Sequence, residues 1–167
     1  MRHVELKVLV PSQDARTVFD AVIQWEKYPD LAPHVHTTTV HATLPAAQCS
    51  SSWELHFRSG LLRWTEKDEF SVEDLTARFE QTDGDFDSFT GLWTLRQDGA
   101  DVAVDFEADF DFGIPSLEGI LDPIAERVIK ESVAWAVTGL FPGSQVLGDA
   151  NLSDARPEST RPENVAA

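Results

Sequence analysis

Cysteine is almost missing from this chain: Cys49 stands alone among 167 residues, which excludes an internal disulfide framework and a thiolate metal cluster. A lone cysteine is read as a small packed residue. Positive charge is scarce as well. Lys and Arg number 13 against 29 Asp and Glu, a formal charge of -16, and such a field repels nucleic-acid phosphates and anionic lipid heads alike. Nucleic acid is therefore not an expected partner. No apolar run approaches the roughly 20 residues that cross a bilayer, and Met1-Arg2-His3-Val4 leads straight into a strand pattern instead of a signal peptide. The expected setting is the cytoplasm, without membrane insertion. No self-similarity recurs at a period of roughly 20 to 50 residues, so solenoids and propellers are set aside. Against these absences stand 10 Phe, 5 Trp and a hydrophobic fraction of 42%, enough for one domain with a real core.

The first element is His3-Val4-Glu5-Leu6-Lys7-Val8, whose strict alternation marks a half-buried strand. Pro11 ends it, and Ser12 offers an N-cap to a short helix with Ala15, Val18, Phe19, Val22 and Ile23 on one face. A second helical turn follows at Trp25-Glu26-Lys27-Tyr28, closed by Pro29. From His34 onward the period is two, with punctuation at Pro45, Ser59-Gly60, Asp83-Gly84 and Asp98-Gly99, the pattern of an antiparallel meander. The expected strands are 34–44, 48–58, 61–70, 75–82, 86–97 and 101–112. A long helix comes after Pro115, in which Asp122-Pro123 reads either as a kink or as a fresh N-cap and N1 pair opening a span over 123–140. Ala125, Val128, Ile129, Ser132, Ala136 and Gly139 fall on one side of it, and Glu126, Arg127, Lys130, Glu131 and Thr138 on the other. That helix is expected to be amphipathic. Past Pro142 periodicity stops, so 145–167 is expected to be a disordered acidic, Pro-rich tail beyond a domain at 2–141.

The strand 61–70 carries Leu62, Trp64, Glu66, Asp68 and Phe70 on one face and Leu61, Arg63, Thr65, Lys67 and Glu69 on the other. If the apolar residues face inward, the period of two turns Glu66 and Asp68 inward with them. Two carboxylates would then border an apolar cavity, where desolvation and mutual repulsion raise carboxyl pKa values and suit one of them to acid-base work near neutral pH. The alternative is a strand that frays or bulges toward its end and delivers both acids to water. The neighbouring strand turns Leu75, Ala77, Phe79 and Gln81 inward. On the long helix the central face is small, with Ala125, Ser132, Ala136 and Gly139, and a helix that fills a core seldom saves volume there. Ser132 is the hydroxyl at the middle of that face, placed either for a ligand carbonyl or for a bond back to the carbonyl four residues earlier.

Other candidates weigh less. His34 and His36 share a strand face, yet no third ligand is fixed by spacing, so no metal is expected. His41 and His56 read as surface residues. Asp105, Glu107, Asp109 and Asp111 alternate along a strand over roughly 20 Å, too far to grip one ion. Among the tryptophans, Trp93 is assigned to the core, Trp25 and Trp135 to the cavity rim, and Trp53 and Trp64 to a ring-stacking wall.

A strand, two short helices, a six-strand meander and one long C-terminal helix resemble the helix-grip order of the SRPBCC or START-like superfamily. The segment Trp25-Glu26-Lys27-Tyr28-Pro29-Asp30-Leu31 is similar to one in polyketide aromatase/cyclases and coenzyme-Q-binding relatives, and Gly91-Leu92-Trp93-Thr94-Leu95 and Phe110-Asp111-Phe112-Gly113 fit the same pattern. The resemblance implies an α+β fold, with a seven-stranded antiparallel sheet curled around the last helix and a deep cavity between them. It also implies a hydrophobic or polycyclic small molecule as ligand, no cofactor, and an acyl carrier protein as the one macromolecular partner such chemistry calls for. The expected reaction is cyclisation of a polyketide with Glu66 and Asp68 as acid and base, and with Tyr28, Trp53, Trp64, Phe70, Phe79, Gln81, Phe106 and Ser132 holding the substrate. Relatives commonly place arginines on the two adjacent strands, at positions that here match Asp68 and Gln81. A non-catalytic carrier or sequestering protein for a quinone, lipid or natural product is the rival reading.

Overall fold

Alternation builds the sheet that it announces. In the computed structural model, which describes residues 1–43 and 48–148, β1 (Arg2–Val10) buries Val4, Leu6, Val8 and Val10 and turns His3, Glu5 and Lys7 to solvent. The meander follows as β2 (Val35–Thr43), β3 (Gln48–Phe57), β4 (Gly60–Ser71), β5 (Thr76–Gly84), β6 (Ser88–Asp98) and β7 (Asp101–Asp111), each within a residue or two of its expected span. All neighbours are antiparallel, and β1 closes onto β7.

The sheet has eight strands rather than the expected seven, in the order β2-β3-β4-β5-β6-β7-β1-β8. The additional strand is β8 (Gln145–Leu147), which pairs with the free edge of β1 inside the stretch expected to be a tail. Backbone bonds to an open edge and the packing of Val146 against the core hold it, and three residues are too few for periodicity to reveal. The rest of the expected tail, 149–167, lies outside the described residues.

Two short helices follow β1. In α1 (Ala15–Val22) the cap is Asp14, whose carboxylate accepts from the Thr17 N–H at 3.3 Å. Ser12, the expected cap, instead occupies the preceding turn with φ 54°. A single 3-10 turn over Trp25–Lys27 then leads into α2 (Tyr28–Leu31).

The long helix, α3 (Glu118–Leu140), begins five residues before the expected start and runs through Pro123 without a break. Pro123 forfeits only the bond to the carbonyl of Gly119, which lies in an exposed first turn. The amphipathic expectation fails in the second half, where every residue from Glu131 to Thr138 is buried. Here α3 packs on β1 from one side while α1 and α2 cover it from the other. Burying polar groups is costly without partners: Glu131 takes His34 Nε2 at 3.0 Å and Arg127 at 3.4 Å, and the Thr138 hydroxyl reaches the Trp135 carbonyl at 3.4 Å, while the Trp135 indole N–H has no partner among the described residues.

Candidate functional site

The two-residue turn at Arg58-Ser59 fixes the β3–β4 register, so each β3 residue pairs with the β4 residue equally far from the turn. Trp53 therefore faces Trp64, Ser51 faces Glu66 and Cys49 faces Asp68, all on the buried side of the sheet. Between this side and α3 lies a cavity of about 50 Å³. β3 and β4 wall it with Trp53, Leu55, Trp64 and Glu66; Phe79, Phe89, Trp93 and Phe106 come from β5, β6 and β7. Trp25, Tyr28 and Val35 close one end, and α3 contributes Ile129, Ser132 and Val133. Rings surround it on most sides.

Glu66 is 3% exposed and Asp68 1% exposed, so neither reaches bulk water. The ladder to β5 does shift register between Thr65 and Glu66, but the extra residue, Thr82, is on β5, and β4 keeps its alternation. Trp64 Nε1 donates to Glu66 Oε1 at 2.7 Å, which holds the carboxyl against the wall. Asp68 sits behind Glu66 and does not line the cavity. Its Oδ2 accepts from the Ser51 hydroxyl at 2.7 Å and the Cys49 thiol at 3.4 Å, and Ser51 in turn accepts from Trp53 Nε1 at 3.0 Å. Burial pushes the Glu66 carboxyl well above the ordinary carboxyl range, and its bond to Asp68 and the charge there push it further. Burial raises Asp68 as well, but hydrogen bonds from Glu66, Ser51 and Cys49 oppose the rise. The donors gathered on Asp68 thus favour its charged form more than the one indole N–H does at Glu66. Burial first, then the Asp68 charge, pushes the Cys49 thiol up to about 12, so this cysteine is not a nucleophile.

The remaining expected residues divide. Tyr28 lines the cavity but donates its hydroxyl to the Val22 carbonyl at 2.7 Å, and burial followed by the Glu66 charge holds its pKa up. Ser132 lines it too, and its proton goes back to the Val128 carbonyl at 2.7 Å. Both hydroxyls can accept from a ligand but have already spent their donors. Phe70 and Gln81 are not in the wall. Phe70 is half-buried against Trp25, ring centroids 6.1 Å apart, and the Gln81 amide donates to the Phe86 carbonyl at 2.8 Å where the chain bends into β6. The small residues of α3 do not leave the vacancy expected of them: Ala125, Ala136 and Gly139 lie off the wall, and Gly139 lets Leu31 of α2 approach closely.

Neither tryptophan assigned to the rim is there. Trp25, 3% exposed, touches Tyr28, Trp53, Phe70 and Trp93 at the centre of the ring cluster. Trp135 is stacked under His34 at 4.8 Å, and His34 is thereby committed to α3. His36 instead meets His56 at 4.9 Å. His56 is half-buried, not a surface residue, with its pKa lowered by burial and then by His36 and His34. Ser51 escaped the sequence reading although alternation from Trp53 puts it on the inner face. Its signal was a hydroxyl two residues from an inward indole and opposite an inward acid.

Comparison with known proteins places this geometry. Residues 12–135 match the model of a family described as polyketide cyclase / dehydrase and lipid transport. No curated protein matches the chain by sequence. A solved structure from Thermus thermophilus is 24% identical, with a TM-score of 0.74 over 83% of this chain and 94% of that one. The Zhui aromatase/cyclase from Streptomyces sp. R1128 is 14% identical, with a TM-score of 0.71 over 81% of this chain and 91% of its own. A START superfamily protein from Mycobacterium smegmatis is 16% identical, with a TM-score of 0.70 over 83% and 96%. These likenesses identify the helix-grip fold.

Proposed function

The chain belongs to the polyketide cyclase/dehydrase and lipid transport family, and from that premise we propose that its cavity holds a polyketide or similar polycyclic precursor and promotes cyclisation. The observation that supports this reading is Glu66, a buried carboxyl facing an aromatic cavity, whose pKa burial raises, with Asp68 behind it. Holding a flexible chain in a folded shape lowers a cyclisation barrier by several kcal/mol on its own, about 7 or more in the best cases. Glu66 then gives its proton to a ketone oxygen as the enol form of a second carbonyl attacks that ketone's carbon, and the enol O–H proton passes back to the Glu66 carboxylate, leaving a β-hydroxy ketone. The new hydroxyl and a neighbouring C–H proton leave together as water, and enolisation of the remaining carbonyls completes the aromatic ring. Atoms and electrons balance without a redox partner. A cytoplasmic setting and a substrate delivered by an acyl carrier protein belong to the same reading.

One observation favours simple carriage instead. Tyr28 and Ser132 have spent their protons on backbone carbonyls, and no Lys, Arg or His among the described residues stands in the wall, so little besides Glu66 polarises a carbonyl. Mass spectrometry of compounds that co-purify with the protein, followed by turnover assays on whatever polyketide is found, decides between them. Glu66→Gln keeps volume and removes the transferable proton, and it is expected to lower turnover about a hundredfold or more while ligand is still bound. Full turnover in this variant would leave carriage as the function.

A further inference from the structure

We propose that the Glu66 end of the cavity receives a cation, so that the ligand is an apolar molecule carrying a tertiary or quaternary ammonium group. This rests on the reading of the cavity as a ligand site and names the chemistry of what fills it. The first support is charge. Two buried carboxyls stand two apart on one face of β4; donors from Ser51 and Cys49 favour the charged form at Asp68, and Asp68 Oδ1 has no donor among the described residues. Neither acid makes an ion pair among the described residues, and a buried charge without a counter-ion is costly unless something arrives to neutralise it. Ser51, Cys49 and Trp64 supply hydrogen bonds but no positive charge.

The second support is the wall. Ring faces carry negative charge density, and indoles hold a cation best, more so where water is excluded. Trp25, Trp53, Trp64 and Trp93 all line the cavity, and Trp53 and Trp64 lie parallel with centroids 6.0 Å apart. The Trp64 N–H places the Glu66 carboxyl at the edge of this group of rings. Aromatic faces and one buried negative charge both favour an ammonium, and neither favours an enolate or a carboxylate. The third support is the molecule's net charge of -16, which concentrates cations near its surface and repels anions.

The test uses three molecules of nearly one shape: phenyltrimethylammonium, its neutral carbon isostere tert-butylbenzene, and the anion benzenesulfonate. None fits a cavity of about 50 Å³ without movement of the wall, and all three need the same opening, so that cost cancels in the comparison. Tryptophan fluorescence titration is expected to give the cation at least about a tenfold lower Kd than the isostere, with the anion weakest. E66Q leaves the Asp68 carboxyl with its donors and keeps most of this preference. The double variant E66Q/D68N removes the charge and is expected to bring cation and isostere within about twofold of each other, leaving isostere affinity unchanged. Should the double variant fail to fold, the comparison on the unmodified protein still decides. Equal binding of cation and isostere, or tighter binding of the anion, overturns the inference while leaving the cavity as a hydrophobic site. Failure of all three to bind overturns the ligand-site reading itself, and this inference with it.

Discussion

Glu66 is buried and makes no ion pair among the described residues, so it binds its proton more tightly in the folded protein than in the unfolded chain. A carboxyl raised in this way favours the folded state fully below its unfolded value of 4.5 and loses that contribution as pH climbs toward the folded value. The slope within that window is about 1.4 kcal/mol per pH unit for one proton. Cys49, pushed to about 12, and Tyr28, pushed above its usual value, face the same pair and do not titrate in this range. Urea denaturation is therefore expected to show Glu66→Gln gaining on the unmodified protein as pH rises above 4.5, with the two converging toward acid. A gap that stays constant across that range would mean that Glu66 is ionised in the fold. Alternation alone pointed both acids inward, because side chains two apart on a strand share a face. It could not say that Asp68 stands behind Glu66, since depth within one face depends on how neighbours such as Ser51 and Trp53 pack. Trp25 was misplaced for a related reason: it lies on a single 3-10 turn, too short for any period to orient it.

Elements were legible where their repeat was long. β7 alternates over its whole length and buries Val102, Val104, Phe106, Ala108 and Phe110, whereas β8 has three residues and no pattern to read. The start of α3 was obscured by Pro123, a residue that usually marks an N-terminus and here sits inside the helix. One contact between elements sets the shape of the cavity. Phe79 of β5 lays its ring over Gly91 of β6, its direct partner across the ladder, where a Cβ would collide with the ring. Gly91→Ala is thus expected to lift the Phe79 ring off β6 into the cavity, at a cost of roughly 1–3 kcal/mol. A thermal melt should show a lower Tm, and binding of tert-butylbenzene should weaken as the ring fills the space. Adding Phe79→Leu should restore part of both, since a smaller side chain relieves the overlap. If Gly91→Ala melts like the unmodified protein, the ring does not lie where the structure puts it.

Across the whole molecule, composition already spoke to charge, and the three-and-two periodicities to architecture. Cavity volume was not legible, because it depends on the side-chain rotamers of many residues at once and not on which face each one occupies. At about 50 Å³ the cavity falls well short of the roughly 300–1,000 Å³ of sites that hold drug-sized ligands. A polycyclic ligand must therefore wait for the ring cluster to part. Binding that follows such an opening has a ceiling: the observed rate rises with ligand concentration and then levels off at the opening rate. In stopped-flow fluorescence, phenyltrimethylammonium and tert-butylbenzene are expected to reach the same plateau, because both await the same movement. Their initial slopes should differ. The field of a chain with a net charge of -16 draws the cation toward the mouth and leaves the hydrocarbon indifferent. Raising the salt from about 0.01 M to about 0.15 M shortens the Debye length from about 30 Å to about 8 Å, which should lower the slope for the cation alone. A rate that climbs linearly, without a plateau, to the highest concentrations tested would show that the cavity admits ligands as it stands.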